Sequence, residues 1–312
     1  MRAQQVVVIG SLVFWPWVWA RSNIVPANVK DFYNGLVRNK TCTNKLATGF
    51  YSTGRGKNSS HHTAFSYCGD HLGDYNVVYI QGNNGLLADM GVDCDGVIQR
   101  SPENDRRCDS SPERSSRTAF REIIQGYRKG IRDLDPYIHS YVVLGNDGSK
   151  HGGITFDPTE YGIDPLSLVA VVCNDKLVCV LASLPMPRVL ENCSQITLLT
   201  FHAKQFYGVW GDEYGGRKPM VGQSSLSLAT ACFDRGMNGN NGHETNDVLY
   251  VAFPGKNAVP GADGAAWSAR TWIDFHESIA TLGDRLVQRI PGASNWTRPA
   301  LQKNRAEKLM LK

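Results

Sequence analysis

Asp212 is the first candidate for acid or base chemistry, because it stands where a run of β-favouring residues ends. The run contains Tyr207, Val209 and Trp210, and a loop with Gly and Pro residues separates it from the segment that begins at Val221. The backbone is fixed at the end of a strand, so we expect a carboxylate there to face outward over the loop. The sequence therefore predicts that Asp212 is catalytic.

Two more carboxylates, Asp93 and Asp95, flank Cys94 immediately before Gly96. They could form part of a cleft. They could also cap a turn, because Asp and Gly are common in turns for conformational reasons alone. The residues by themselves favour the turn.

Neither a metal nor a cofactor is predicted. The residues between Asn241 and Asp247 include His243 and Glu244, which could be read as part of a metal cluster. Their spacing matches no standard ligand pattern, and the Asn and Gly residues around them are typical of a loop.

The elements that must hold these side chains are mostly short strands. A hydrophobic fraction of 42% indicates a folded protein. The predicted strands and helices do not alternate regularly, so a doubly wound sheet is not expected. We predict an α+β, mostly β fold, with a small barrel of mixed strands, peripheral helices and disulfides in one domain. Strands are predicted at 76–80, 140–144, 166–173, 207–212, 221–228 and 248–253, and helices at 29–36, 119–131 and 273–286.

The N-terminus and the cysteines predict an exported protein. Residues 1–20 form a short apolar run behind one basic residue and end in Ala20, which is typical of a secretory signal peptide. No other stretch is long and apolar enough to span a membrane. The eight cysteines contain no CxxC pair, so outside the cell they indicate disulfides, with Cys94 and Cys108 closing a local loop.

The net charge of +4 does not describe the folded body. Much of the basic excess lies in the polar tail at 291–312, which leaves the predicted catalytic domain at 21–290 near neutral. Such a body suits a polycationic sugar better than a nucleic acid. We expect no nucleic-acid or membrane partner, and a monomer.

Several motifs resemble one family when taken in order. The segment GVWGD, followed by a Gly-rich loop and VGxxSxSLAxxCF, is similar to the signature of the fungal secreted chitosanases, glycoside hydrolase family 75. The other matching segments lie at 44–51, 67–70, 92–96, 136–146, 165–177 and 241–253.

The resemblance implies an inverting endo-hydrolase that cuts β-1,4-linked glucosamine, and therefore chitosan as substrate. It implies two catalytic carboxylates, the Asp of WGD, here Asp212, and the Glu of VGEAS, whose position holds Gln223. It also implies a double-psi barrel. The residues that it suggests for substrate binding are Asp93, Asp95, Asn146, Trp210, Asn246 and Asp247. Of these, Trp210 could instead fill the core, which is the interpretation that its place before a strand end favours.

Gln223 leaves three alternatives open, because an amide neither accepts nor delivers a proton at neutral pH. Asp212 could work with another acid such as Glu213 or Asp93, although strand alternation points Glu213 to the opposite side. The protein could have lost activity and kept chitosan binding. The sequence at this codon could also be in error. Gly91 is a second departure, since the family usually carries an acid there.

Residues 179–206 do not fit the resemblance. In the family, the segment that matches 173–177 runs almost directly into the one that matches 207–212, and joining Val178 to Tyr207 restores this pattern. We predict that the 28 residues are a translated intron or a recent insertion. Cys179 and Cys193 lie within this stretch, so a protein without it would lack both cysteines. The remaining disulfide candidates are Cys42, Cys68, Cys94, Cys108, Cys173 and Cys232.

Overall fold

The computed structural model describes residues 24–52, 65–99, 101–112, 114–146, 153–173, 203–216 and 218–292. The predicted signal peptide and most of 179–206 and 291–312 lie outside these residues. The helices are α1 (Ala27–Arg38), α2 (Arg121–Gly126), α3 (Leu226–Phe233) and α4 (Trp272–Val287). The strands are β1 (Lys45–Ser52), β2 (Phe65–Cys68), β3 (Val78–Gly82), β4 (Ala88–Asp93), β5 (Tyr141–Asn146), β6 (Leu168–Cys173), β7 (Lys204–Tyr214), β8 (Met220–Val221), β9 (Gln223–Ser225) and β10 (His243–Ala252).

Six strands close into a barrel in the order β4, β9, β5, β7, β6 and β10, and β10 pairs back onto β4. The pairs β4–β9 and β5–β7 are parallel, and the other four are antiparallel. Strands β3, β2, β1 and β8 extend the sheet from β10. The predicted fold class, a mostly β protein with a mixed-strand barrel and disulfides, is therefore confirmed, while the double-psi connectivity stays a prediction.

The barrel core follows the apolar patterns of the sequence. All six residues of β6 are buried, as expected for a continuous apolar strand that is covered on both faces. Helix α1 buries Val29, Phe32 and Leu36 on one face. Helix α4 packs on β7, where Gly283 lies so close to the Tyr207 ring that a Cβ would come within 2.5 Å of it.

Three local predictions are wrong. The segment Ser225 to Leu228 alternates like a strand, but β9 ends at Ser225, which caps α3 by accepting a hydrogen bond from the Leu228 N–H. The residues from His243 to Asp247 begin β10 instead of forming a loop. The helix predicted at 119–131 is limited to Arg121–Gly126.

The disulfide prediction is confirmed for all six candidate cysteines. The pairs are Cys42–Cys68, Cys94–Cys108 and Cys173–Cys232. The second pair closes the local loop expected from the sequence, and it links the residue after β4 to the short 3-10 helix Arg107–Ser110.

Strand β7 includes the last three residues of the anomalous stretch. Lys204, Gln205 and Phe206 pair with the end of β6, with Cys173 opposite Lys204. The strand that leads to Asp212 is therefore continuous from Lys204 onward. The part of the anomalous stretch that precedes residue 203 lies outside the described residues.

Candidate active site

An open cleft with a volume of about 820 Å³ lies where β4 and β7 end and where β9 and β10 begin. These strands come from distant parts of the chain and meet because the barrel closes. The cleft wall is rich in acidic side chains and includes one lysine. Its charged and amide members include Asp93, Asp95, Glu213, Lys218, Gln223 and Glu244.

Three carboxyl groups converge on this cleft and form what we call the acid cluster: Asp93, Asp95 and Asp212. One oxygen from each lies within 4.8 Å of the others. Asp93 and Asp95 line the cleft and are partly exposed, whereas Asp212 is only 5% exposed and lies behind them. The expectation that Asp212 faces outward over the loop is therefore wrong. Its closeness to Asp93 agrees with one of the alternatives in the sequence analysis, in which these two acids work together.

Backbone N–H groups hold each member of the acid cluster. Asp93 Oδ1 accepts from Asp95 N at 2.8 Å, and Asp95 Oδ1 accepts from Ser115 N at 2.6 Å. Asp212 Oδ1 accepts from the backbone of both Ala119 and Glu213, each at 2.8 Å. Each side chain is thus fixed at one oxygen, as a catalytic group should be.

A β-bulge at Gly211 sets the direction of Asp212. Val142 pairs with Trp210 and the next residue, Val143, pairs with Asp212, so Gly211 is the extra residue on β7. A Cβ at Gly211 would lie 2.6 Å from both Leu134 Cδ1 and Tyr141 Cβ, so no larger residue fits. Next along the strand, Glu213 is exposed and lines the cleft.

Burial and mutual repulsion raise the pKa values in the acid cluster. Burial raises the pKa of Asp93 to about 7, and the charge of Asp95 adds to this effect. Burial, followed by the charge of Asp93, raises the pKa of Asp212 well above its ordinary value, against the opposing effect of the Ala119 N–H. Protons are therefore retained in the acid cluster near neutral pH, which is what a general acid requires.

The short distances within the acid cluster would also suit a divalent cation. Exposed acidic groups are common without one, and nothing else among the described residues points to an ion. We assign no metal ligands here. The other group considered from the sequence is explained by packing, since His243 stacks on Phe233 with ring centroids 3.8 Å apart and its Nε2 lies 2.7 Å from Asp247 Oδ1.

Comparison with known proteins decides the family. The sequence pattern of "Fungal chitosanase of glycosyl hydrolase group 75" matches residues 90–183 and 182–289. An endo-chitosanase of Aspergillus oryzae is 37% identical over 266 residues, which is 84% of this chain and 90% of that protein. This chain belongs to the fungal chitosanases of glycosyl hydrolase group 75.

Other members are similar over the same share of the chain. Endo-chitosanase B of Aspergillus oryzae and an endo-chitosanase of Aspergillus fumigatus are each 35% identical over 264 residues, again 84% of this chain and 90% of each relative. The predicted family and the prediction of a glycoside hydrolase of the chitosanase type are confirmed. The match is divided in two near residue 182, which is inside the stretch that the sequence analysis found anomalous.

The two positions at which the resemblance leads us to expect an acid lie side by side. Gly91 on β4 pairs directly with Gln223 on β9, and both line the cleft. The departures therefore affect one place in the site, which we call the neutral pair. Asp93 follows Gly91 by two residues on the same strand and so lies next to this pair.

Trp210 is a core residue and not a sugar platform, so its predicted role in substrate binding is wrong. It is fully buried, its ring packs edge-on against Phe120, and its Nε1 donates to the carbonyl oxygens of Leu144 and Asp212. The alternative interpretation, in which Trp210 fills the core and does not stack on a sugar ring, is confirmed.

Three further predicted binding residues lie away from the described cleft wall. The Asn146 side chain donates to Ile154 O and accepts from Phe156 N. Asn246 donates to Ser52 Oγ. Asp247 contacts the cleft only through His243, whose ring lines it. These residues support loops and strands around the site, and their direct contact with a sugar stays a prediction.

Tyr141 is a site residue that sequence reasoning missed. Its hydroxyl donates to Asp95 O at 2.9 Å and also stabilises the charged form of Asp93 by a side-chain hydrogen bond. Tyr141 lies within an apolar strand pattern, so no local signal distinguished it from a core residue. Only the barrel register shows that it reaches the acid cluster.

Proposed function

We propose that this protein is a secreted endo-chitosanase that hydrolyses β-1,4-linked glucosamine polymers by acid and base catalysis. One observation carries the proposal: three carboxyl groups converge, and two of them, Asp93 and Asp95, line an open cleft that can hold a polymer. Family membership supplies the substrate class, since the curated relatives are named endo-chitosanases.

The acid cluster can supply the acid of an inverting reaction but not both partners. Inversion needs two carboxyl groups about 6.5–9.5 Å apart so that a water fits between them and the sugar. The oxygens of Asp93, Asp95 and Asp212 are within 4.8 Å of one another, which is too close. The base must therefore stand elsewhere in the cleft. Gln223 cannot serve, whereas Glu213 and Glu244 also line the wall.

The charge of the cleft suits a cationic polysaccharide. Five acidic residues line it beside Lys218, namely Asp89, Asp93, Asp95, Glu213 and Glu244. Such a wall attracts protonated glucosamine units, and the attraction weakens as salt screens it. We expect the affinity for glucosamine oligomers, measured by calorimetry, to fall between low and high ionic strength. Equal affinity at both would contradict this electrostatic account.

A chitosan-binding protein without turnover is the second candidate, and Gln223 is the observation that favours it. Release of reducing sugar from chitosan by the recombinant chain separates the two functions. Oligomer products support the enzyme, and retention on chitosan without products supports the binder. The Asp212→Asn variant serves as the control, because a hydrolase should lose product formation while a binder should be unchanged in the same assay.

The proposed domain boundaries and location need separate tests. We propose that residues 1–20 are removed on export, that 21–290 form the catalytic domain and that 179–206 are an intron or insertion. N-terminal sequencing of the exported protein tests the first proposal, and a start at Met1 would contradict it. Sequencing of the transcript tests the last. The expectation of a monomer is tested by light scattering of the exported protein.

A further inference from the structure

We propose that Tyr141 is a positioning residue of the acid cluster, and that its hydroxyl group holds Asp93 and Asp95 in place beside Asp212 throughout the reaction. The inference deepens the proposed function and rests on it. Asp212 keeps the catalytic role that the resemblance implies. A task is assigned instead to a buried side chain that does not belong to the described cleft wall.

Tyr141 contacts three of the chain segments that meet at the site. Its hydroxyl donates to Asp95 O at 2.9 Å, just past the end of β4. Its backbone N–H donates to Ser225 Oγ at 3.1 Å, where β9 ends. A Cβ at Gly211 on β7 would lie 2.6 Å from the Tyr141 Cβ, and Gly211 is the bulge residue that directs Asp212. One residue therefore links the segments that carry all three acids.

The Tyr141 hydroxyl is a fixed point because the barrel holds the rest of the residue. Tyr141 is fully buried on β5, which pairs with β7 on one side and with β9 on the other. A buried O–H needs an acceptor. The acceptors here belong to the site, since they are the Asp95 carbonyl oxygen and the Asp93 carboxyl group. The short segment that contains both acids is thus fastened to a strand of the barrel.

A hydroxyl group can serve the acid cluster in both of its charge states, because its hydrogen can rotate and its oxygen can also accept. When the Asp93 carboxyl is protonated, the Tyr141 hydroxyl can donate to Asp95 O and accept from Asp93. When Asp93 is ionised, the same hydroxyl can donate to its carboxylate. The heavy atoms need not move between the two states. The acid cluster can therefore lose and regain a proton while the distances within it stay the same.

The charged groups around Tyr141 give its removal a predictable sign. The carboxyl groups that face its hydroxyl are those of Asp93, Asp95, Asp135 and Asp212. Burial, followed by the charge of Asp93, raises the pKa of Tyr141 well above its ordinary value, so the hydroxyl keeps its hydrogen and remains a donor. Its hydrogen bond lowers the pKa of Asp93, against burial and the charge of Asp95. Without the hydroxyl, the acid cluster should lose its proton at a higher pH.

The test compares Tyr141→Phe with Tyr79→Phe in the full chain. Both variants remove one buried hydroxyl and keep the ring, but the Tyr79 hydroxyl donates to Asp70 Oδ2 at 2.9 Å, away from the described cleft wall. In carbon NMR, the carboxyl that titrates near 7 should move to higher pH in Tyr141→Phe and stay in place in Tyr79→Phe. On chitosan, we expect Tyr141→Phe to lose about 10–10²-fold in kcat with KM within about threefold, and its alkaline limb should move to higher pH.

An unmoved carboxyl titration in Tyr141→Phe, or equal changes in both variants, would overturn the inference. Replacing all 12 tyrosines by 3-fluorotyrosine tests it without removing a hydroxyl. Fluorine makes the phenol a stronger donor, so the same carboxyl should titrate at lower pH, and no shift would again contradict the inference. If the wild-type chain releases no sugar from chitosan, the proposed function fails, while the two NMR titrations still decide the role of Tyr141.

Discussion

Asp93 of the acid cluster and Gly91 of the neutral pair lie two residues apart on β4. The two groups differ in charge and in their ability to hold a proton. Asp93, at the end of β4, joins Asp95 and Asp212 in a group that retains protons. Gly91, also on β4, has no side chain, and its partner Gln223 offers an amide that does not titrate. The resemblance implies a second catalytic carboxylate at position 223, so substitutions in these two places should change different properties of the protein.

The largest effect is expected from Gln223→Glu, which would return a carboxylate to the neutral pair. A lost acid or base typically costs about 10²–10⁴-fold in rate, so we expect chitosan hydrolysis to rise by a factor in that range. Initial rates of reducing-sugar release measure the change.

The matched control for this gain is Gln223→Asn, which keeps an amide and should leave the rate within about threefold of the wild type, since no acid or base is added. An unchanged rate in Gln223→Glu would show that the second role lies at another carboxylate, with Glu213 and Glu244 the next to substitute.

A second effect concerns the support under the acid cluster. Trp210 is fully buried and bonds to the backbone of Asp212. We expect Trp210→Ala to lower the free energy of unfolding by about 3–5 kcal/mol, measured by urea denaturation. The neutral pair has no such support, so Gln223→Ala should cost less than about 1 kcal/mol. Similar losses of unfolding free energy in both variants would contradict the expectation that the acid cluster is supported more firmly than the neutral pair.

The third effect is a pH dependence to which the acid cluster contributes and the neutral pair does not. The buried Asp135, whose pKa burial raises to about 6, contributes in the same direction. Because burial raises the pKa of Asp93 to about 7, the native state holds this proton more firmly than the unfolded chain does. The corresponding stability is present at low pH and is lost as the pH rises from about 4 to about 7. His139, whose pKa burial lowers to about 4, acts in the opposite direction as the pH falls below about 6.5.

Asp93→Asn should therefore flatten the fall in Tm between pH 4 and 7, with a change on the order of 5 °C relative to the wild type. Scanning calorimetry across this range measures it. Glu277→Gln, at an exposed position on α4, is the control and should keep the wild-type slope. A wild-type slope in Asp93→Asn would mean that Asp93 does not retain its proton in the folded state.

We expect the smallest effect from deleting the anomalous residues 179–206. This deletion tests whether the strand that leads to the site depends on them. Cys173 pairs with Lys204, so deleting 179–206 would place Lys176, Leu177 and Val178 in the same strand positions. Asn174 and the following Asp would form a two-residue turn suited to a hairpin. Because Gln205 Oε1 is buried without a hydrogen-bond partner, its replacement by Leu should leave Tm equal or slightly higher.

Two further deletions make this result interpretable. Deleting 176–203 gives the same turn and register but keeps Gln205, so it isolates the effect of that side chain. Deleting 179–205 lengthens the connection to three residues, Asn174, Asp175 and Lys176, and should also fold, because three-residue hairpin loops are common. Loss of the fold in all three variants would contradict the view that this stretch is an insertion.

Much of the fold could be predicted from the sequence because its strongest signals are local. The apolar run of β6 and the periodic faces of α1 and α4 need no tertiary information. The segment after Ser225 was misread because four alternating residues are too few to distinguish a strand from a buried helix, and the capping role of Ser225 was the competing signal.

The site could be predicted only in part, for a topological reason. The sequence indicated Asp93, Asp95 and Asp212 as separate candidates, but about 120 residues separate the first from the last. Their contact depends on how the barrel closes. The burial of Asp212 depends on the bulge at Gly211, which one glycine in a strand suggests but does not establish. The sequence motifs indicated these three carboxylates as candidates. Only the strand register of the folded barrel shows which of them are exposed to solvent.

The half-cystine Cys94 lies between Asp93 and Asp95, and its partner Cys108 belongs to the short 3-10 helix Arg107–Ser110. Neither cysteine is part of a barrel strand, so opening this one disulfide would remove a covalent link beside the two acids without breaking a strand pairing. We therefore expect the local geometry of Asp93 and Asp95 to depend on an oxidising environment.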